Sequence, residues 1–374
     1  MNTLRLTVNP EHPDAPASLQ AIHRGAEILR GGGLVALPTE TVYGLGANAL
    51  DPAAVARIFA AKQRPAWDPV IVHIAGPAAP ENPMLRQLVT GIPESARRLI
   101  AAFWPGPLTL LLPRSAAVPE AVTSGRPLVG VRMPSNSVAI HLILQAGVPV
   151  AAPSANLFSH TSPTTAAHVL HDLDGRIDAV LDAGPALHGV ESTVLDPTQS
   201  PMVIYRPGAI TAHQIRAVAG DLVLFQAPDQ QAPQPQETLP SPGVGIRHYA
   251  PKAKLILIDA DLADLPLRLS DAFTQHGAGR AGRRVGIMLP SELADAAPKN
   301  AIVFPWGHWA APDELAHSLY AGLRSLDLQG CAVILCPVPG SDGLGAAIRD
   351  RLRKAASNAE PGNAGEVRSQ EKAP

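Results

Sequence analysis

The segment ALPTETVYGLGANAL, residues 36–50, decides how the first part of the chain folds. Its apolar run stops at Pro38, and three hydroxyl side chains, one acid and two glycines follow before the helical pattern that begins at Asp51. Glycine raises the entropy lost on folding, and threonine favours extended backbone over helix, so this turn costs local order. We therefore expect the turn to belong to a binding site whose contacts offset that cost.

The same segment contains a formal match to the dinucleotide-binding pattern G-x-G-x-x-A, from Gly44 to Ala49. In that pattern the glycines follow a strand directly and open a helix, whereas here Thr39 to Gly44 intervene after Pro38 and the helix starts only at Asp51. The match gives little support for a nicotinamide or flavin enzyme. The pattern G-x-x-x-x-G-K followed by Ser or Thr is absent from the sequence, which excludes a P-loop nucleotidase. A turn with ordinary capping residues stays an alternative.

The composition is that of a soluble protein with two cores. With 374 residues, 46% of them apolar, the chain is long enough for two domains. It has no apolar run long enough for a transmembrane helix, and its N-terminus lacks the charged-then-apolar layout of a signal peptide. We therefore expect a cytoplasmic protein. The odd spacing of Cys331 and Cys336 in an apolar run favours reduced core thiols over a disulfide.

Shifts in composition divide the chain into segments. Residues 226–245 are rich in Gln and Pro and predict an interdomain linker in extended conformation. The residues beyond 356 are polar and without periodicity. We predict a first domain at 1–220, a linker at 221–250, a smaller α/β domain at 251–356 and a disordered tail at 357–374.

Strand and helix patterns alternate through the first domain and predict an α/β fold. Ser18 is the predicted N-cap of one helix, and Asp51 with Pro52 opens a second. Apolar runs predict strands at LVALP, VIVHIA, LTLLLP, LVGVRMP and VPVAAP, and SVAIHLILQAG predicts a helix. The segments STVLD and MVIYRPG follow one another without room for a crossover helix, so we expect a mixed, twisted sheet.

Polar side chains follow several of these apolar runs. Lys62 and Arg64 place two cations at a helix C-terminus, which suits a triphosphate, although a solvated basic helix end has the same pattern. Arg132 lies inside an apolar strand, where a guanidinium is costly unless it meets a carboxylate or a phosphate. Further hydroxyl, amide and guanidinium groups come from Ser154, Asn156, Ser159, Thr161, Ser162, Ser192, Thr193 and Arg206. Together they predict a polar pocket that is poor in nucleophiles.

Two other kinds of site receive little support. His160, His168 and His171 lack the spacing of a metal site, so we interpret them as surface or core histidines. Residues 18–220 contain fourteen Lys and Arg against thirteen Asp and Glu, and the whole chain has a formal net charge of −2. This balance does not predict tight nucleic-acid binding.

Eight motifs resemble, in order, those of the YrdC-like family, the threonylcarbamoyl-AMP synthases. They are PTETVYGLGANA, KQRP, VHI, FWPGPLTLLL, VGVRMP, PVAAPSAN, ESTV and YRPGAI, and they span about residues 15–215. The later segments SPGVGIRHYAP and GSDGLGAAIRDRLRKAA are similar to the two-domain form of the family, whose C-terminal domain is a smaller α/β unit. The resemblance implies that L-threonine, bicarbonate and ATP give threonylcarbamoyl-adenylate and pyrophosphate. This is the first step of N6-threonylcarbamoyladenosine formation in tRNA, and a separate complex then transfers the group to tRNA.

The resemblance also assigns residues to two subsites. The threonine subsite would use Thr41, His73, Arg132, the backbone at Ala152 and Ser192. The ATP subsite would use Lys62, Arg64, Asp68, the backbone near Leu128, Ser154, Asn156, Ser162, Arg206 and, from the linker, Tyr249. Arg132 suits the amino-acid carboxylate because its planar fork binds two oxygens at once.

Such chemistry requires positioning and no side-chain nucleophile. Carbamate formation needs a placed amine, and adenylation needs the α-phosphate held in line while cations draw charge onto pyrophosphate. Mg²⁺ is expected to enter with ATP, which supplies most of its ligands alongside water. The PTETVYG turn would then form part of the threonine-side wall.

The end of the linker has its own pattern. Arg247, His248 and Tyr249 follow a flexible Pro-Gly-Val-Gly segment, and such residues suit the covering of a nucleotide. We expect the linker to fold over the pocket as an active-site lid, with Tyr249 near ATP. An ordinary exposed spacer is the alternative.

One position departs from the family pattern. The family usually has RPxxNP where this chain has RPAWDP, so Asp68 stands in place of the usual asparagine. A carboxylate beside a triphosphate repels it unless Mg²⁺ or an arginine intervenes. The sequence leaves the role of Asp68 open.

Two rival functions also stay open at this stage. The first is an RNA-binding module without catalysis, against which the balanced charge argues. The second is a factor that uses the same carbamoyl-adenylate chemistry on another substrate. Larger proteins of that second kind carry acylphosphatase regions and zinc fingers with CxxC pairs, and this sequence has neither.

Overall fold

The computed structural model describes residues 2–224, 241, 248–277 and 284–357. It confirms the α/β class, with a large mixed sheet in the first domain and a smaller parallel sheet in the second. Most of the predicted linker, 225–247 apart from Ser241, and the predicted disordered tail from 358 onward lie outside the described residues. No helix in the described part of the chain has the length and apolar content needed to cross a membrane.

The first domain alternates strands and helices along the chain. Its strands are β1 (Leu4–Thr7), β2 (Val35–Leu37), β3 (Gly44–Asn48), β4 (Ile71–His73), β5 (Leu108–Pro113), β6 (Leu128–Arg132), β7 (Val150–Ala151), β8 (Ala179–Asp182), β9 (Thr193–Asp196), β10 (Met202–Arg206) and β11 (Leu222–Leu224). Its helices are α1 (Pro16–Arg30), α2 (Pro52–Lys62), α3 (Pro83–Leu88), α4 (Glu94–Phe103), α5 (Glu120–Thr123), α6 (Ser137–Ala146), α7 (Ala166–Leu173) and α8 (Ala212–Ala219).

The predicted helix starts have different outcomes. Asp51 caps α2 as predicted, because its side chain accepts a hydrogen bond from the Ala53 amide at 2.9 Å. The prediction for Ser18 is wrong, because α1 already begins at Pro16 and Ser18 Oγ instead accepts from the Asn9 amide. The fixed backbone angle of proline favours the first helical position, and that preference decides where α1 begins.

The opening segment forms a turn followed by a strand. Residues 38–43 make the turn, and β3 then pairs antiparallel with both β2 and β7. A Cβ atom at Gly46 would lie 2.8 Å from both Leu37 Cδ2 and Val150 Cγ1, so only glycine fits this packing. The G-x-G-x-x-A match therefore reflects close strand packing and not a dinucleotide loop.

The large sheet has the strand order β1-β8-β2-β3-β7-β4-β6-β5-β9-β10-β11. β4 and β6 are parallel neighbours, with His73 directly opposite Arg132. Successive side chains of a strand point to opposite faces of the sheet. Val72 and Val131 therefore enter the main core, whereas Ile71, His73 and Arg132 share the other face. The sheet also continues past the boundary predicted at residue 220, because β11 pairs parallel with β10.

The second domain is a parallel sheet covered by helices. Its elements are β12 (Lys254–Ile258), α9 (Leu265–Gly277), β13 (Val285–Pro290), a 3₁₀ helix (Ser291–Ala296), β14 (Ile302–Gly307), α10 (Pro312–Leu328), β15 (Val333–Pro337) and α11 (Leu344–Ala356). The strand order is β12-β15-β13-β14, and all pairs are parallel. Cys331 and Cys336 are buried free thiols, as predicted.

Helix α10 packs directly against the first domain. Its apolar residues share one core cluster with Val42 and Val190 of that domain. Gly189 has a φ of +71°, and a Cβ there would lie 2.4 Å from the backbone oxygen of Ala316. Glycine at position 189 therefore permits the close approach of α10 to the loop before β9.

Candidate active site

A cavity lies on the face of the large sheet that carries His73 and Arg132. The predicted site residues that line it are Thr41, Arg64, His73, Arg132, Ala152, Ser154, Ser192, Arg206 and Tyr249. The fold thus gathers residues from both proposed subsites, and from the end of the linker, around one space.

One wall of the cavity, here called the Arg132 wall, consists of Thr39, Glu40, Thr41, His73 and Arg132. Arg132 Nη1 donates to Thr41 Oγ1 at 2.8 Å, and Arg132 Nη2 lies 2.6 Å from Glu40 Oε1. The hydroxyl oxygens of Thr39 and Thr41 lie 2.8 Å apart. The carboxylate that a buried Arg132 requires is therefore Glu40, from the turn between β2 and β3.

Burial and charge set the protonation states of this wall. Burial raises the pKa of Glu40, but attraction to Arg132 outweighs burial, so the pKa lies below its ordinary value. Burial, followed by repulsion from Arg132, lowers the pKa of His73 to about 3. His73 Nδ1 has no hydrogen-bond partner within the described parts of the chain. His73 is thus a neutral imidazole at physiological pH.

Asp68 lies behind Arg64 and does not line the cavity. It is fully buried, with Oδ1 2.9 Å from Arg64 Nη2 and Oδ2 3.7 Å from His248 Nε2. Arg64 also donates to the backbone oxygens of Asp68, at 3.0 Å, and Pro69, at 2.7 Å. An arginine therefore stands between this carboxylate and the cavity, and Asp68 orients Arg64.

Lys62 and Asn156 also lie behind the lining. Lys62 Nζ donates to the backbone oxygens of Ser154 and Asn156, each at 2.5 Å. Burial is the main cause that lowers the pKa of Lys62 well below its ordinary value. The side-chain amide of Asn156 donates to the backbone oxygens of Leu157 and His160. These two side chains shape the loop that carries Ser154 to the cavity.

Ser192 and Arg206 meet because β5, β9 and β10 are neighbours in the sheet. Ser192 Oγ lies 2.8 Å from Thr109 Oγ1 and accepts a hydrogen bond from Arg206 Nη2 at 3.1 Å. Arg206 Nε donates to the Ser192 backbone oxygen, also at 3.1 Å. The arrangement places a fixed guanidinium and a hydroxyl at the same point of the lining.

A second wall, here called the Glu191 wall, consists of Ser162, Glu191, Ser192, Arg206 and Tyr249. Ser162 does not line the cavity itself, but its Oγ donates to Glu191 Oε1 at 2.6 Å, and Glu191 does line it. Tyr249 has a left-handed backbone with a φ of +64°. This conformation costs roughly 1–3 kcal/mol and persists only where surrounding contacts hold it.

The contacts around Tyr249 dock the end of the linker on the first domain. The Ala250 amide donates to the Ser159 backbone oxygen at 2.9 Å, and Thr161 Oγ1 donates to the Tyr249 backbone oxygen at 3.4 Å. His248 packs on Phe158 with ring centroids 5.5 Å apart. The predicted position of Tyr249 at the pocket agrees with this docking, while residues 242–247 of the predicted lid lie outside the described residues.

The remaining predicted residues have other surroundings. Leu128 begins β6 and packs in a small apolar cluster with Leu111 and Val194, without lining the cavity. His160 Nδ1 lies 3.9 Å from an Asp172 oxygen. Within the described ranges no group of three or more His, Cys, Asp or Glu residues is arranged to hold a metal ion.

Glu40, Glu191 and His248 were not assigned to either subsite, although His248 was expected to help cover the nucleotide. Glu40 pairs with Arg132, whereas Glu191 and His248 belong to the lining. The signal for Glu40 was the demand of a buried guanidinium for a carboxylate. Glu191 and His248 stand directly before the predicted residues Ser192 and Tyr249.

Comparisons with known proteins match both domains. Residues 27–208 match the protein family described as "Telomere recombination", with the name Sua5_yciO_yrdC. Residues 210–357 match the family described as "Threonylcarbamoyl-AMP synthase, C-terminal domain". The two matches together span the first domain, the linker and the second domain.

The chain is also similar to whole proteins and to a solved structure along most of its length. A threonylcarbamoyl-AMP synthase of Pyrococcus abyssi is 42% identical over 334 residues, which cover 89% of this chain and 93% of that protein. One of Bacillus subtilis is 42% identical over 336 residues, covering 90% and 92%. The crystal structure of P. abyssi Sua5 complexed with L-threonine has a TM-score of 0.85 and 39% identity, over 95% of this chain and 98% of that one. By sequence, domain content and fold, the chain belongs to the threonylcarbamoyl-AMP synthase family, a family of enzymes, in its two-domain form.

Proposed function

We propose that the protein condenses L-threonine, bicarbonate or CO₂, and ATP to threonylcarbamoyl-AMP and pyrophosphate. The observation that carries this proposal is one cavity whose lining includes three arginines, Arg64, Arg132 and Arg206. Two anionic substrates that react with each other require cationic groups at two points of one enclosed space. The threonine complex of the P. abyssi relative supports the amino-acid half of the proposal.

The Arg132 wall suits a small amino acid. A guanidinium has five N–H donors. Arg132 donates from Nε to the Gly106 backbone oxygen and from Nη1 to Thr41 Oγ1, and its Nη2 faces Glu40 as an ion pair. One N–H therefore remains on each terminal nitrogen, enough to hold the two oxygens of a carboxylate. The neutral His73 beside it can accept or donate a hydrogen bond without adding charge. We assign the threonine subsite to this wall.

The part of the lining that contains Arg64, Arg206 and Ser154 suits a nucleotide. Arg64 and Arg206 are held by backbone and side-chain oxygens, so their charges are fixed before substrate arrives. Such preorganised cations stabilise charge that develops on a departing pyrophosphate. The hydroxyl of Ser154 lies in the same lining and offers a hydrogen bond to phosphate oxygens. Ser192, which the resemblance places in the threonine subsite, accepts a hydrogen bond from Arg206 and so lies where the two subsites meet. We assign the ATP subsite to Arg64, Arg206, Ser154 and Tyr249.

Among the described residues, no unpaired carboxylate lines the cavity as a ligand for Mg²⁺. The three carboxylates nearest to the cavity, those of Glu40, Asp68 and Glu191, each face an arginine. Paired carboxylates are poor ligands for a further cation, so the described residues do not fit a protein-bound Mg²⁺ site. We propose that the ion arrives with the triphosphate, and we assign no step to it.

The direct test is pyrophosphate release from ATP, measured with each amino acid in turn and with and without bicarbonate. The proposal expects release only with L-threonine and bicarbonate together, and a product whose mass is that of threonylcarbamoyl-AMP. Release that does not depend on threonine would contradict it. Salt-dependent RNA binding without turnover would instead support a binding module.

The proposed product, a reactive adenylate, requires a second enzyme that consumes it. We propose that threonylcarbamoyl-AMP passes to a separate cytoplasmic transferase complex that modifies tRNA. The balanced charge of the first domain supports weak or absent direct tRNA binding.

A further inference from the structure

The carboxylate of Glu191 is a buried anion in the lining of the cavity. Its residue is 6% exposed and directly precedes Ser192, whose backbone and side-chain oxygens both accept from Arg206. Ser162 donates to the same carboxylate at 2.6 Å. A negative charge at this point opposes the binding of a triphosphate unless another group neutralises it.

The neutralising groups come from the C-terminal domain. Arg351 on α11 is fully buried, and its Nε donates to Glu191 Oε2 at 2.8 Å. Its Nη1 donates to the backbone oxygen of Pro207, which directly follows Arg206, at 2.9 Å. The hydroxyl of Tyr320 on α10 donates to Glu191 at 2.9 Å. Two helices of one domain therefore hold a carboxylate of the other.

The same two side chains also hold Tyr249. The Arg351 guanidinium lies over the Tyr249 ring at 5.4 Å from its centroid, and the Tyr249 and Tyr320 rings stack at 5.8 Å. These contacts fix an aromatic residue of the linker against the cavity. The Glu191 wall therefore receives both its charge balance and its aromatic side chain from contacts with α10 and α11.

A second ion pair joins α10 to α7 and the loop before it. Arg324 Nη2 lies 2.7 Å from Asp172 Oδ2 and donates to the backbone oxygen of Thr161. Thr161 directly precedes Ser162, so this contact fixes the loop that carries the hydroxyl bonded to Glu191. The C-terminal domain thus holds both chain segments that converge on the Glu191 carboxylate.

We propose that Arg351, assisted by Tyr320, is a positioning residue of the ATP subsite, which gives the C-terminal domain a role in nucleotide use. Arg351 neutralises Glu191 and directs its carboxylate toward Ser162, so that Arg206, which donates to the adjacent Ser192, keeps its place for phosphate. This inference rests on the proposed function. The inference predicts different effects on the binding of ATP and of threonine, because no described contact of Arg351 or Tyr320 reaches the Arg132 wall.

The main test compares Arg351→Met with Arg349→Met. Arg349 lies on the same helix but pairs with Asp259 and the Pro339 backbone, inside its own domain. Arg351→Met should raise the KM for ATP by about tenfold or more and the KM for threonine by less than about threefold, because it strands a carboxylate beside the nucleotide. Arg349→Met should change neither KM. Both are measured at a temperature at which circular dichroism shows each variant folded.

A rescue variant tests whether Arg351 acts by neutralising Glu191 or only by holding the two domains together. Glu191→Gln combined with Arg351→Met removes both charges and should bring the KM for ATP back to within about threefold of the parent chain. Tyr320→Phe, which removes one hydroxyl and keeps the ring, should raise the KM for ATP about two- to fivefold. If Arg351 only held the domains together, adding Glu191→Gln to Arg351→Met would not lower the KM for ATP. Tyr320→Phe and the double variant keep the test decisive if Arg351→Met fails to fold.

The outcomes test the role of Arg351 separately from the proposed function of the protein. A parent chain that releases no pyrophosphate with threonine, bicarbonate and ATP would contradict the proposed function. An active parent chain in which Arg351→Met changes both KM values equally, or neither, would overturn the inference alone. An active parent with a selective ATP defect that the double variant reverses supports both.

Discussion

The Arg132 wall and the Glu191 wall place buried charge beside an anionic substrate in different ways. In the Arg132 wall the arginine and its carboxylate partner Glu40 both belong to the first domain, on β6 and the turn after β2. In the Glu191 wall the carboxylate belongs to the first domain and its arginine to α11 of the second. The first wall is complete within one domain, whereas the second depends on docking. Substitutions should therefore affect threonine and ATP separately.

The largest expected effect is that of Arg132→Ala on the threonine side. The substitution removes the carboxylate-binding fork and leaves Glu40 buried without its partner, at a cost of roughly 2–4 kcal/mol in binding. The KM for threonine should rise by about 30- to 1,000-fold, and the KM for ATP far less.

Steady-state kinetics with each substrate varied in turn check this prediction. Arg57→Ala is a suitable control, because Arg57 pairs with Asp178 at the surface, with 43% of its side chain exposed. An unchanged threonine KM in Arg132→Ala would remove this residue from the subsite.

Acid should weaken the two walls in different pH ranges. The folded-state pKa of His73 is lowered to about 3 from an ordinary 6.5, mainly by burial. That of Glu191 is about 2 against an ordinary 4.5: burial raises this pKa, but Arg351, Arg206 and the hydrogen bond from Ser162 together lower it further. Both shifts are downward, so each group contributes stability above its unfolded pKa and loses it as pH falls. The loss therefore begins near pH 6.5 for His73 and near pH 4.5 for Glu191.

Urea unfolding at pH 7, 5.5, 4.5 and 3 checks this order, with pH values chosen to bracket the two shifts. His73→Gln should reduce the loss of unfolding free energy already between pH 7 and 4.5. Glu191→Gln should reduce only the loss below about pH 4.5, of which about 2 kcal/mol has occurred by pH 3. If both variants follow the parent chain in parallel, the groups do not titrate as the structure indicates.

Asp68→Asn has the smallest expected effect. Asparagine keeps an oxygen 2.9 Å from Arg64 and removes one negative charge behind the ATP subsite. ATP should therefore bind about two- to fivefold more tightly, most visibly at low Mg²⁺ and low ionic strength. Asp68→Ala also loses the oxygen that orients Arg64, so it should weaken binding.

Calorimetric titration of both variants with ATP measures this difference. Asp182→Asn, which alters a surface pair with Arg5, serves as the control for a lost charge. Weaker ATP binding by Asp68→Asn would mean that orientation of Arg64 requires the full carboxylate.

Much of the Arg132 wall could be predicted from the sequence, because its signals are local. Alternating polar and apolar residues place His73 and Arg132 on one face of their strands, and a buried arginine demands a carboxylate. The identity of that carboxylate could not be predicted, because 92 positions in the numbering separate residues 40 and 132 and the turn geometry joins them. Likewise, the start of α1 depended on competing local signals, and Pro16 outweighed Ser18.

Ser162, Ser192, Arg206 and Tyr249 of the Glu191 wall could be predicted from the family motifs, but the pairing of Glu191 with Arg351 could not, because the two residues lie in different domains. Glu191 and Arg351 are 160 positions apart, and only the docking of α11 brings them together. One signal was available within α11. Ala347, Ile348, Leu352 and Ala355 define its buried face, and Arg351 lies on that face. A charged residue on the apolar face of a helix indicates a buried partner elsewhere, but not which one.

The strand order of the small sheet has a consequence for biosynthesis. β15 lies between β12 and β13, so that sheet cannot close until residues 333–337 have left the ribosome, and α11 follows later still. At about 5–20 residues per second, the 160 positions from Glu191 to Arg351 take roughly 10–30 s to synthesise. During that time the nascent first domain holds an unpaired Glu191. The ATP subsite is therefore completed last. A chain that terminates before α11 contains the residues of the Arg132 wall but lacks Arg351, the counterion of Glu191.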